Sequence, residues 1–256
     1  MHKLSLSLSL SLAACASTPA PAPVTAAPAT AVASPLDAPD RSADDRALDA
    51  QRRPAEIAEF FRVAPGQRVA DLFAGGGYTS EVLARIVGPT GAVFSQNNRF
   101  VIDRFANAPW TARLATPVMS RVTRVEREFD APLPAEATGL DAVVFILAYH
   151  DTVWMQTDRA AMNRAIFEAL RPGGVYGIVD HSAAAGRGVQ DAQTLHRIEE
   201  ATLIEEVTAA GFRLDARSEV LRNAADARDW NASPRAAGER RGQSDRFVLR
   251  FVKPAA

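Results

Sequence analysis

The stretch Asp141–Ala148, which reads DAVVFILA, is apolar without alternation. A strand wetted on one face alternates polar and apolar residues. A short unbroken apolar run therefore belongs to a strand covered on both faces, the place of a central strand in a parallel sheet. Such a sheet requires helices on both sides, and the flanking sequence supplies them. Arg68–Phe73, Ala92–Gln96, Val122–Val125 and Val175–Val179 read as further short strands. Helical patterns at Thr79–Val87, Arg99–Ala106, Asp158–Leu170 and Gln190–Ala210 fall between or after them, the last ending at Gly211. Before the first strand, Ala43–Phe61 reads as helix in two pieces, with Pro54 opening the second. Two closing strands, Arg213–Leu221 and Arg246–Val252, are joined by a polar loop with no helical pattern, so they read as an antiparallel hairpin. The expected domain is α/β: a doubly wound, mostly parallel, seven-stranded sheet that ends in that hairpin.

Between the first strand and the following helix lies Asp71-Leu72-Phe73-Ala74-Gly75-Gly76-Gly77-Tyr78-Thr79. Glycines at such a turn allow positive φ and close approach of a ligand to the backbone, and a helix N-terminus offers free N–H groups. The order of elements, this acid-and-glycine turn, the Arg171-Pro172-Gly173-Gly174 turn before the fifth strand and the terminal hairpin together resemble class I S-adenosylmethionine-dependent methyltransferases. The resemblance covers Ala55 to Lys253 and implies a Rossmann-like fold, S-adenosylmethionine as cofactor and a small-molecule methyl acceptor. It also implies that Asp71, Gly75, Gly76, Gly77, Tyr78 and Thr79 cradle the methionine part of the cofactor. Phe73 stands where the family has its first glycine. The family places an acid on the ribose hydroxyls at the end of the second strand. Here the sequence is Ser95-Gln96-Asn97-Asn98, so the resemblance puts Gln96 or Asn97 there, and Asp130 at the adenine amine.

Histidine is scarce, with four in the chain. His150 and Asp151 follow the fourth strand, while Asp180 and His181 follow the fifth. Ligands of open parallel sheets bind beyond the carboxyl ends of the strands, so both His–Asp pairs are expected at one crevice. His196, on the expected Gln190–Ala210 helix, reaches that rim if the Gly186-Arg187-Gly188 loop folds back. Two chemistries suit these groups. A neutral imidazole of His150 or His181, oriented by Asp151 or Asp180, can act as general base. Alternatively, two His and two Asp can hold zinc or a related ion, although their spacing matches no compact metal motif. A third reading is a cofactor-free binding or scaffold module on the same fold. A nicotinamide oxidoreductase fits least, because of the hairpin and the missing second-strand acid. The polar stretch Asp226–Ser244, with Trp230, reads as a surface loop placed to cover the crevice.

The N-terminus belongs to a different regime. His2 and Lys3 precede a Leu/Ser run, and Leu12-Ala13-Ala14-Cys15 closes it with small residues. The run is too short to span a bilayer and reads as a secretion signal over residues 1–14. It resembles the lipobox of bacterial lipoproteins, which implies that Cys15 is lipidated and anchors the chain at the cell envelope. Ala16 after it implies the periplasmic face of an outer membrane. Cys15 is the single cysteine, so no disulfide forms within one chain. Residues 15–40, rich in Ala and Pro, are expected as a tether, and 41–256 as the domain. A net charge of −1 with interspersed signs argues against a nucleic-acid partner. Replacing Cys15 by Ser is expected to leave the protein unprocessed or soluble, as read by membrane fractionation. Unchanged membrane attachment would remove the lipid-anchor reading.

Overall fold

The computed structural model describes Met1 and residues 34–255, so the signal segment, Cys15 and most of the expected tether lie outside the described residues. The sheet contains β1 (Arg68–Leu72), β2 (Ala92–Asn97), β3 (Val122–Glu126), β4 (Leu140–Ile146), β5 (Leu170–His181), β6 (Arg213–Ser218) and β7 (Arg246–Val252). Its order is β3-β2-β1-β4-β5-β7-β6. The first five strands pair in parallel, and β7 inserts antiparallel between β5 and β6. This is the expected doubly wound sheet with its terminal hairpin.

The apolar strands divide their residues between two cores, as a sheet buried on both faces must. Leu72, Val143, Phe145 and Ile178 face α7 (Arg159–Ala169) and α8 (Glu200–Ala209) through Met162, Ile166, Leu203 and Val207. Val69, Val93, Val144 and Val179 face α2 (Pro54–Phe60) and α3 (Tyr78–Val87) through Ile57, Leu83 and Val87. Ahead of α2 lies α1 (Ala43–Arg52), capped by the Ser42 hydroxyl. The domain begins earlier than residue 41. Leu36 is buried against Tyr78 and Val82, and Asp40 pairs with Arg85. One large apolar side chain and one ion pair are enough to dock the end of the expected tether.

Two helices differ from expectation. The segment starting at Arg99 runs on past Ala106: α4 (Arg99–Val101) leads into a π-helical turn (Ile102–Ala106) and then α5 (Asn107–Leu114). Pro109 lacks an N–H, and the wide turn before it absorbs the missing hydrogen bond without ending the helix. The expected Gln190–Ala210 helix shrinks to Glu200–Ala209. Upstream, Ile198 exchanges backbone hydrogen bonds with His181 and Ala183, and Arg197 is buried in an ion pair with Asp226. These tertiary partners outcompete helix propensity over residues 190–199.

The seating of α2 depends on Gly177 in β5. An ideal Cβ there would lie 2.5–2.6 Å from the ring of Phe61, which is packed flat on the strand. Gly177→Ala is therefore expected to destabilise the fold by about 1–3 kcal/mol in urea unfolding. Adding Phe61→Leu should recover part of that loss. Additive losses in the double variant would show that the ring does not set this spacing.

Candidate active site

The glycine turn is held from below by the end of β2. The Gln96 side chain accepts from the Phe73 N–H (3.1 Å) and donates to the Arg127 carbonyl (2.6 Å). Asn97 takes both polar groups of Gly75, accepting its N–H at 2.8 Å and donating to its carbonyl at 3.1 Å. Both amides are fully buried. The residues expected at the ribose thus hold the loop instead, because a carboxamide carries the donor and acceptor that a bent peptide needs and a carboxylate carries only acceptors.

Other predicted contacts are likewise internal. Asp71 is buried and accepts from the Ser80 hydroxyl (2.6 Å), which also meets Ser95 (2.7 Å), and Trp110 donates to Ser95 (2.9 Å). Burial pushes the Asp71 carboxyl up to about 7, against the pull of Ser80 and Arg52. This chain ties β1, α3, β2 and α5 together. Tyr78 donates its hydroxyl to Asp49 on α1. Gly76 and Gly77 lie against α5: a Cβ on Gly77 would sit 3.0 Å from Arg113 and 3.3 Å from Trp110. Asp130 is exposed and accepts the Asp158 N–H at 2.9 Å, which pins the loop after β3 to the start of α7. Phe73 turns away from the glycines and stacks on Phe129 with ring centroids 5.7 Å apart. Gly75, with φ +55° and open space at its Cβ position, is the glycine of the turn with an unobstructed face.

Beside the turn opens a mostly apolar crevice lined by Thr79, Val82, Ile146, Leu147 and Phe61. Two guanidinium groups that the sequence did not single out, Arg52 and Arg246, also line it. Among the described residues neither has a carboxylate at ion-pair distance. Arg246 donates to the Gln51 and Gly242 carbonyls, and its buried Nε has no partner. Burial and the neighbouring Arg52 bring the Arg246 guanidinium down to about 10. The lining is thus apolar with a cationic edge.

At the carboxyl ends of β4 and β5 the expected histidine rim is assembled. His150 and Asp151 open α6 (Asp151–Trp154), while Asp180 and His181 are the last residues of β5. Asp180 is fully buried and accepts three hydrogen bonds: His150 Nδ1 (2.7 Å), the His150 N–H (2.8 Å) and the His181 N–H (2.8 Å). His150 Nε2 lies 3.1 Å from His196 Nδ1 and 3.2 Å from Asp151 Oδ1, and Trp154 donates to that same Oδ1 at 2.8 Å. His196 arrives on irregular chain, not on a helix. The Arg197 anchor beside it also stacks on Trp230, and Glu199 collects the N–H groups of Gly186 and Gly188. The 226–244 stretch thus braces His196, with Ala232 and Asn231 bonded to the carbonyls of Leu195 and Thr194.

The two histidines expected as general bases sit in opposite electrostatic surroundings. Burial opposes charge on His150, but Asp180 and Asp151 outweigh it and hold the ring protonated up to about pH 10. His181 is buried, hydrogen-bonded to Ser244 (2.7 Å) and held well below the usual histidine range by burial and nearby cations. His196, with a quarter of its side chain exposed, is the histidine of the rim that faces solvent.

No protein-family model matches the chain. No curated protein is similar to it in sequence. Its fold, by contrast, has many likenesses. A SAM-dependent methyltransferase of Aquifex aeolicus superposes with a TM-score of 0.57 at 14% identity, over 82% of this chain and 97% of that one. The 4+2 cyclase SpnF gives 0.58 at 18% identity, over 81% and 82%. A SAM-dependent O-methyltransferase of Thermotoga maritima gives 0.50 at 20%, over 80% and 66%. The chain has the class I methyltransferase fold. At these identities the likeness establishes the fold alone, and the cyclase among the neighbours shows that this fold hosts other chemistry.

The protonated His150 makes stability depend on pH. Its folded pKa, about 10, lies above the ordinary 6.5, so its contribution is fully present below 6.5 and is lost as pH rises through 10. In chelator-treated protein, unfolding free energy is expected to fall across that window. Asp180→Asn should lower stability at neutral pH and flatten the dependence. A wild-type curve that is flat between those limits would contradict the His150–Asp180 pairing.

Proposed function

We propose that the domain is an S-adenosylmethionine-dependent methyltransferase whose acceptor is a small molecule with an apolar body and an anionic group. The observation that carries this reading is the pairing of an open glycine turn with a polar rim on the methyltransferase-like sheet. The open face of Gly75 follows β1, the histidine rim follows β4 and β5, and the apolar crevice edged by Arg52 and Arg246 borders the turn through Tyr78 and Thr79. When bound, the cofactor supplies an electrophilic methyl group. The chain's own residues divide the remaining work. Gly75 and Thr79 present the turn, Arg52 and Arg246 orient an anionic acceptor, and the apolar walls exclude water. The acceptor's proton leaves toward His196, which His150 and Asp151 hold in place.

The residues fit the methionine end of the cofactor better than its ribose. Gly75 leaves room, whereas Gln96 and Asn97 are committed to the loop. That commitment favours a second reading, the cofactor-free module on the same fold. Anchoring through Cys15, at the periplasmic face of an outer membrane, completes the proposal.

Calorimetric titration with S-adenosylmethionine and its demethylated product decides between the two readings. Binding of modest affinity is expected in the wild type, with loss in Gly75→Ala, whose added methyl narrows the open face and strains a positive φ. No heat at millimolar ligand would sink the cofactor reading. Gly77→Ala is a poorer probe, because its Cβ strikes α5. Asn97→Asp is expected to destabilise the protein by about 1–3 kcal/mol, since it sets a carboxylate oxygen against the Gly75 carbonyl. An unchanged melting temperature in that variant would mean that Asn97 is free to serve a ligand.

A further inference from the structure

Three potential metal-ligand atoms converge at the histidine rim. Asp180 fixes the proton of His150 on Nδ1, which turns Nε2 toward the neighbours. His150 Nε2, His196 Nδ1 and Asp151 Oδ1 form a nearly equilateral triangle with sides of 3.1, 3.2 and 3.2 Å. Ligand atoms bound at about 2.0–2.1 Å stand about 3.3–3.4 Å apart on a tetrahedral ion and about 2.8–3.0 Å apart on an octahedral face. The observed triangle falls between these values. A proton on Nε2 can serve one acceptor well or two acceptors poorly. A divalent ion meets all three at once.

We propose that His150, Asp151 and His196 form a three-ligand centre for a divalent first-row transition ion of the zinc or iron(II) class. Two imidazole nitrogens and one carboxylate select such ions over magnesium or calcium, which take oxygen ligands. Three protein ligands leave at least one position open, the arrangement of catalytic rather than structural sites. His196, a quarter exposed, opens the centre to solvent. At the open position the ion would polarise an oxygen of a bound substrate, so the inference does not rest on methyl transfer.

The surroundings are those of a metal centre. Asp180 is the outer carboxylate that sets the tautomer of a ligating histidine and raises its basicity. Trp154 restrains Asp151 through its indole N–H. His196 is held at φ +51°, a backbone region that non-glycine residues seldom occupy, by the anchoring of Arg197 on Asp226. Strain of this kind collects where a side chain must be aimed.

The test uses the full chain and metal salts alone. After dialysis against zinc and then metal-free buffer, elemental analysis is expected to find one ion per chain. His196→Ala and Asp151→Asn should abolish retention with folding intact by circular dichroism. Asp180→Asn, which touches no ion, should weaken affinity about 10–100-fold, the usual effect of losing an outer carboxylate. Loading with cobalt(II) gives an independent readout that does not need a loss of binding. His196→Cys should add a sulfur-to-cobalt charge-transfer band absent from the wild type, in which Cys15 is also present. A wild type that retains no zinc above buffer overturns the proposal. So does retention that survives His196→Ala, or a His196→Cys protein whose cobalt spectrum is unchanged.

Discussion

One buried carboxylate organises the working edge of this protein. Asp180 sits at the end of a central strand with no solvent contact and receives three hydrogen bonds. An isolated carboxylate in that position would cost several kcal/mol, and here two backbone N–H groups and the His150 ring satisfy its oxygens. The backbone N–H groups it accepts come from the first residue after the β4 loop and from the last residue of β5. A single side chain thereby fixes the chain's exit from two neighbouring strands and the orientation of the ring between them. Everything proposed for the rim follows from that orientation. His150 is aimed with Nδ1 inward and Nε2 outward, and His196 and Asp151 are then within reach.

The second organising element is the clamp on the glycine turn. Gln96 and Asn97 each use both ends of a carboxamide to bind backbone at the end of the neighbouring strand. A carboxylate at Asn97 could accept the Gly75 N–H but would repel its carbonyl. The missing acid is therefore a change of task, from gripping a ligand to supporting a loop. Gly76 and Gly77 serve close packing with α5, which leaves Gly75 as the position whose freedom faces outward. The crevice beside it is apolar and edged by Arg52 and Arg246.

The comparison with known folds fits this division. Methyltransferases and a cyclase share the architecture at low identity, so the sheet is a common platform and the chemistry resides in side chains at its carboxyl edge. In this chain that edge carries a histidine–aspartate cluster of high positional order. Its parts are contributed by β4, β5, the irregular 190–199 segment and, through Trp230 and Asp226, the 226–244 loop.

Short-range pattern settled much of this molecule in advance. Unbroken apolar runs required strands buried on both faces, the strand–helix rhythm required a parallel sheet, and two terminal strands without a helix between them required the hairpin. The same topology rule put His150, Asp151, Asp180 and His181 at one rim, because residues that end parallel neighbours share an edge. What the sequence left open depends on partners distant along the chain. Residues 190–199 have helical propensity, yet Arg197 finds Asp226 and Ile198 finds the end of β5, and those contacts outweigh a few tenths of a kcal/mol per residue of helix preference. The proton on His150 is decided by two carboxylates, one of them thirty positions away in Asp180. The role of Asn97 is decided by a glycine on the adjacent strand's loop. Periodicity reports which face of an element is buried, but a side chain's charge state and hydrogen-bond partners depend on what the folded chain brings within 3 Å of it.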